Sequence, residues 1–193
     1  MTEFADAIRA VFQARSRNSW SDRPVSAELI QDLYDIVKLG PTSMNCSPAR
    51  FFFLLSQDAR NRLAVRAMGP NQEKIRSAPC VVIIASDEAF YEQLPRLFPI
   101  REGVRDMFAG NEALSRSTAF RNSTLQGAYL IVAARLLGLD CGPMSGFDPA
   151  AVDEEFFKNT TLKSNFICAI GYANDQPFPR LPRLSFDEAA KLL

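Results

Sequence analysis

Histidine is missing from all 193 residues, which removes the usual base of a Ser-His or Cys-His pair and the commonest metal ligand. Glycine is sparse, with 9 residues, and neither a GxGxxG nor a GxxxxGK pattern occurs. The two common phosphate-loop modes of nucleotide binding are thereby excluded. Net charge is absent as well, since 22 basic residues balance 22 acidic ones. With no field of one sign and no long Lys/Arg run, nucleic acid is not an expected partner. Cys46, Cys80, Cys141 and Cys168 stand far apart without a CxxC pair, so they suit burial in a reducing cytoplasm and offer no disulfide framework. No metal is expected. The longest apolar stretch, Ala128 to Ala134, stops at Arg135, and Met1 to Arg15 lacks a signal-peptide core. The expectation is a cytoplasmic protein with no membrane partner.

What is present describes one globular domain. The chain is 47% apolar and 23% charged, and is long enough to bury about two thirds of its unfolded surface. Phe4, Ile8, Val11 and Phe12 recur at helical spacing and predict a helix over Glu3 to Ala14. Ser26 can cap a second helix with Leu29, Leu33 and Val37 inward, and Gly40 with Pro41 stops it. Phe51 to Leu55 and Cys80 to Ala85, "CVVIIA", read as buried strands, with short helices at Asp58 to Ala67 and Asn71 to Ser77 between them. Ser86 to Arg116 is the least regular part, and long irregular insertions are often lids. Thr118 to Leu137 predicts a central helix whose middle, "AYLIVAA", is apolar all round. Asp148 with Pro149 opens another helix, Phe166 to Ile170 reads as a strand, and Ser185 with Glu188 forms a capping box. The order is mixed α+β without internal repeats.

Five short segments, each at the end of a predicted element, carry side chains suited to a ligand. They are "RSRN" at Arg15 to Asn18, "GPTSMNCSPARF" at Gly40 to Phe51, "NQEK" at Asn71 to Lys74, "GPMSGF" at Gly142 to Phe147, and "RLPR" at Arg180 to Arg183. Read locally, the second also fits a helix-terminating turn before a strand, and the fourth a strand-to-helix loop.

Together these segments resemble the nitroreductase family of flavoproteins along nearly the whole chain. The resemblance is closest to its malonic semialdehyde reductase branch, also called 3-hydroxypropanoate dehydrogenase, of pyrimidine-ring catabolism. The stretches that carry it are "GPTSMNCSPARF", "AFRNSTLQGAYLIVAARLLGLDCGPMSGFD", "TLKSNF" and "RLPRLSFDEA". The fold it implies is α+β, a central mixed and mostly antiparallel sheet flanked by helices, in a domain-entwined homodimer. Residues 1–193 would form one FMN-binding domain with 86–116 as a lid insertion.

The resemblance further implies FMN as cofactor and NADH or NADPH as hydride donor, with hydride passing through flavin N5 and no catalytic side chain. The acceptor would be a small aldehyde, malonic semialdehyde, reduced to 3-hydroxypropanoate. A broad nitroreductase or quinone reductase, or a non-catalytic flavin-binding protein, are the alternatives. By motif position Arg15, Ser16 and Arg183 match phosphate contacts, and Asn71 and Lys74 match donors at the pyrimidine edge of the ring. Pro143, Ser145 and Gly146 match a turn against the flavin. Pro41, Thr42, Ser43 and Asn45 match contacts made to FMN held by the other subunit. Two positions depart from the family: Asn18 stands where Arg or Lys is common, and Leu181 where a cation is common, which implies weaker FMN retention. Asn18 can still hydrogen-bond the pyrimidine edge. Arg180 lacks a motif match and reads as a solvated surface cation. An anionic acceptor calls for an arginine, with Arg121 as the candidate and Arg101 and Arg105 as rivals.

Overall fold

The structure, a computed structural model, describes residues 2–174 and 176–193. Helix α1 (Thr2–Ile8) passes into a π turn at Arg9–Gln13, where periodicity alone predicts one continuous helix. Helix α2 (Ala27–Val37) starts as expected, because the Ser26 hydroxyl accepts the Leu29 N–H at 3.2 Å. Strand β1 (Ala49–Leu54) leads to helices α3 (Gln57–Ala64) and α4 (Asn71–Ser77), and then to strand β2 (Cys80–Asp87).

The segment read as irregular holds a 3₁₀ turn at Phe90–Gln93 and two short helices, α5 (Leu94–Leu97) and α6 (Val104–Ala109). Helix α7 (Glu112–Leu136) begins several residues before the predicted start, because the Asn111 carboxamide caps it by accepting the Leu114 N–H at 3.0 Å. Strand β3 (Asp140–Met144), helix α8 (Pro149–Phe156), strand β4 (Leu162–Gly171) and a short helix α9 (Phe186–Ala189) complete the chain.

The strands form one sheet in the order β1-β2-β4-β3. All three described pairings are antiparallel, in line with the mostly antiparallel sheet that the resemblance implies. A single parallel bridge, Ser16 to Cys141, lies outside the named strands.

Alternation along the two inner strands divides the core into two layers. Val81, Ile83, Ala85, Ile167 and Ala169 face Leu63, Ile75 and Val152 of α3, α4 and α8. Cys80, Val82, Ile84, Cys168 and Ile170 face Leu33 and Val37 of α2 and Leu130 and Ala133 of α7. β1 differs from its predicted burial: Phe52 is exposed and Phe51 and Phe53 are only partly covered. The reason is its place at the edge, where one side of the strand has no neighbour.

α7 lies so close to the sheet that a Cβ on Gly127 would stand 2.4 Å from the Phe166 ring. A third, smaller core joins Cys46 to Phe90, Leu94, Val104, Phe108 and Ala119 beyond the end of the sheet. Residues 176–193 run over the surface, leaving Phe178, Leu181, Leu184 and Phe186 exposed. None of the described helices is long and apolar enough to cross a membrane.

Candidate active site

Pro41 to Ala49 forms a strap, running into β1, that is fixed at four points. Three come from one face of α7, at Asn122, Gln126 and Tyr129, an i, i+4, i+7 spacing. The Asn122 carboxamide oxygen accepts the Ser43 N–H at 2.9 Å, and Gln126 accepts the Ala49 N–H at 2.9 Å. The Tyr129 hydroxyl donates to the Pro41 carbonyl at 2.9 Å. Gly40 is required beneath that tyrosine, since a Cβ there would come within 2.2 Å of the ring. The fourth point is Asn45, whose amide donates to the Leu97 carbonyl of α5 at 2.9 Å.

The strap is also strained. Met44, Asn45 and Ser47 adopt φ of 50°, 51° and 38°, a region that costs a side-chain-bearing residue about 1–3 kcal/mol. Rigid anchoring by α7 offsets that cost. Asn122 and Gln126 are the functional residues that sequence reasoning missed, although two amides one turn apart in an apolar helix are a readable signal. Replacing Asn122 by Ala strands the Ser43 N–H and should cost about 1–3 kcal/mol. The urea midpoint checks this, and an unchanged midpoint would remove Asn122 from the anchoring role.

A second group forms at the opposite edge of the sheet. The Arg17 N–H donates to the Cys141 carbonyl at 3.0 Å, and Ser16 bridges the same residue, so Arg15 to Asn18 runs beside β3. Pro143 belongs to β3 itself, not to a turn, and its missing N–H is tolerated because β3 is an edge strand. Ser145 and Gly146 follow. The Gly146 carbonyl accepts both the Met68 N–H at 2.9 Å and the Asn71 side-chain amide at 3.1 Å. A Cβ on Gly146 would meet Asn71 Nδ2 at 2.7 Å, so the backbone lies bare against α4. Lys74 shares the Asn71 face of α4, and among the described residues its ammonium makes no hydrogen bond or ion pair.

Cations gather beside this group. Arg180 Nη2 donates to the Phe12 carbonyl at 2.8 Å, and Arg183 Nη1 donates to the Leu181 and Pro182 carbonyls. Desolvation, followed by the charges of Arg180 and Arg183, lowers the pKa of Arg15 from its ordinary value. The sequence-predicted residues therefore fall into two sets. Arg15, Ser16, Asn18, Asn71, Lys74, Pro143, Ser145, Gly146 and Arg183 belong to the β3 side. Pro41, Thr42, Ser43 and Asn45 belong to the β1 side. Two strands separate β1 from β3, so the sets stand roughly 14 Å apart across the sheet.

A cavity of about 820 Å³ opens on the β1 side, with Tyr34, Lys38, Asn45, Arg50, Phe51 and Gln126 in its wall. Arg105 is engaged by Glu92 at 2.5 Å and Asp106 at 2.9 Å, which removes it as a free cation. Arg121 is exposed on α7 and, among the described residues, has no ion pair or hydrogen bond. The cysteines are buried, and burial pushes the Cys46 thiol up to about 11 and the Cys80 thiol to about 12. Neither thiolate is available near neutral pH.

The model of the nitroreductase family matches residues 11–172, which takes in the sheet and both sets apart from Arg183. The chain belongs to the nitroreductase family. It is 51% identical over 183 residues to the Ralstonia pickettii protein named "Putative NADH dehydrogenase/NAD(P)H nitroreductase HadB", covering 93% of each chain. A Caulobacter vibrioides protein of the same general name is 52% identical over 197 residues, covering 100% of each. Among solved structures, one from Exiguobacterium sibiricum described as a nitroreductase in complex with FMN superposes with a TM-score of 0.86, covering 97% of each chain. Its identity to this chain is 22%, so it bears on the fold alone. A Streptococcus pneumoniae family member, at 20% identity and covering 98% of this chain and 100% of its own, gives 0.84.

Proposed function

We propose that this nitroreductase-family chain is an FMN-dependent NAD(P)H oxidoreductase that works as a homodimer and reduces malonic semialdehyde to 3-hydroxypropanoate. The observation that carries the cofactor and the dimer is the division of the site residues between two edges of one sheet. A single flavin can meet both sets when the strap comes from a second chain, and a two-fold axis then supplies two equivalent sites.

The β3 side fits FMN. Arg15 and Arg183 lie close together, and neither has an ion pair among the described residues, as a phosphate site requires. The bare backbone at Gly146 seats the Asn71 amide, which would fix that side chain at the ring's edge. When bound, FMN supplies hydride transfer between a reduced nicotinamide and an acceptor. Arg15, Ser16 and Arg183 would hold the phosphate, while Asn71, Lys74 and Asn18 would face the pyrimidine edge, where reduction gathers negative charge. The partner subunit's strap would close the site against water. No side chain is needed as a nucleophile, in keeping with the absence of histidine and the buried thiols.

The acceptor rests on the branch resemblance and on Arg121, a cation without an ion pair among the described residues, beside Asn122, which holds the strap. Arg121→Ala should raise KM for malonic semialdehyde on the order of ten-fold, because a charge-assisted hydrogen bond contributes about 1.5–3 kcal/mol. Reduction of an uncharged quinone should barely change. Equal losses on both acceptors would point to damage of the fold, and an unchanged KM would move the role to Arg101. The relatives' names favour a broader nitroreductase, which a wild type faster on nitroaromatics than on the semialdehyde would establish. FMN binding without oxidation of NADH or NADPH would make the protein a flavin carrier.

A further inference from the structure

We infer that Arg180 is a phosphate-binding cation of this chain, set in place by the Phe12 carbonyl beside Arg15 and Arg183. The inference rests on the FMN reading above and adds a residue to it. Sequence alone makes Arg180 a solvated surface charge; two features of the structure argue otherwise.

The first is its seat. Arg180 Nη2 donates to the Phe12 carbonyl at 2.8 Å, and Arg135 Nη1 donates to the neighbouring Val11 carbonyl at 2.8 Å. Both acceptors lie in the π turn that ends the first helix, where unsatisfied carbonyls carry partial negative charge. The contact joins residues 168 apart in sequence and carries the tail back to the Arg15 segment. It uses one of the five donors of the guanidinium and leaves the others for a ligand.

The second is the charge left uncompensated. Arg180 and Arg183 each lie within Coulombic reach of Arg15, the former through its seat on Phe12 three residues before Arg15, and among the described residues no carboxylate pairs with any of the three. Each like-charged neighbour disfavours the cluster until a multivalent anion enters. A phosphate monoester carries a charge of about −1.5 to −2 on three acceptor oxygens, which matches several guanidinium forks better than a single carboxylate does.

The test titrates the apoprotein with FMN and, separately, with riboflavin, which has the same ring and no phosphate. Flavin fluorescence reports the affinity of wild type, Arg180→Gln and Arg183→Ala. Glutamine keeps a donor for the Phe12 carbonyl, and thermal melting checks that the tail stays seated. Arg180→Gln should lose on the order of ten-fold in FMN affinity, with riboflavin binding unchanged. Its log-log dependence of FMN affinity on salt should also be shallower than that of wild type. Wild-type FMN affinity in Arg180→Gln, or equal losses for both flavins, would overturn the inference while leaving the FMN reading intact. A wild-type protein that binds no FMN would remove both.

Discussion

Gly142→Ala should lower stability by about 1–3 kcal/mol and take most of the FMN affinity with it. A Cβ at that position would lie 2.6 Å from the Arg17 carbonyl oxygen and 3.2 Å from the Trp20 ring. The nearer atom is backbone, so no rotamer change relieves the clash. Either β3 moves away from the Arg15 to Asn18 segment, or the hydrogen bond from the Arg17 N–H to the Cys141 carbonyl opens. Both responses displace the segment proposed to hold the phosphate. Gly138 is the control: its φ of +78° makes alanine cost about 1 kcal/mol, but the space around it is open, so the added Cβ pushes against no neighbour. Gly138→Ala should therefore lose stability without losing flavin. Urea unfolding and FMN titration on both variants decide the matter. A Gly142→Ala protein with native affinity would mean that β3 does not position Arg15.

The parts of the fold that sequence exposes are those governed by local pattern. "CVVIIA" could only be a buried strand, and β2 is the most enclosed one. Ser26 and Asp148 cap helices with short side chains, a contact decided within three residues. β3 escaped because Gly142 and Pro143 are turn residues by local rule. Their place in a strand depends on β4 on one side and on an edge that needs no proline N–H on the other.

The interval from Ser86 to Arg116 was hidden for a related reason. Its short helices are individually too weak to show periodicity and hold together around Phe90 and Phe108, with Cys46 brought in from the strap. In the candidate site, segments at element ends were legible, but their partners were not. Asn122, Gln126 and Arg180 make contacts across 79, 77 and 168 residues, and local pattern, even where it flags the two amides, does not name the partner. The division of the site into two sets was implied by the family resemblance, and the strand order places the sets at opposite edges of the sheet.

Val132→Glu should dissociate the proposed dimer and, through that alone, release FMN. α7 is a 25-residue helix whose inner face covers the sheet, while its outer face leaves Leu125, Val132 and Leu136 exposed at 41%, 36% and 50%. A stripe of that kind along one helix face marks an association face. It adjoins Asn122, so a partner packed there would bring its strap close to the cations of this chain. Obligate dimers of this type bury more than roughly 2,000 Å². A glutamate in that interface is a buried charge without a partner, at a cost of about 3 kcal/mol, and two-fold symmetry introduces it twice. The combined penalty of about 6 kcal/mol corresponds to roughly a 10⁴-fold weaker dimer. Sedimentation velocity at micromolar concentration should show a monomer with native circular dichroism, and FMN titration should show affinity reduced at least ten-fold. A variant that stays dimeric with wild-type affinity would place the interface elsewhere than on α7. A folded monomer that binds FMN as tightly as wild type would refute a site built from two chains, and the strap and the cation group would then need separate explanations.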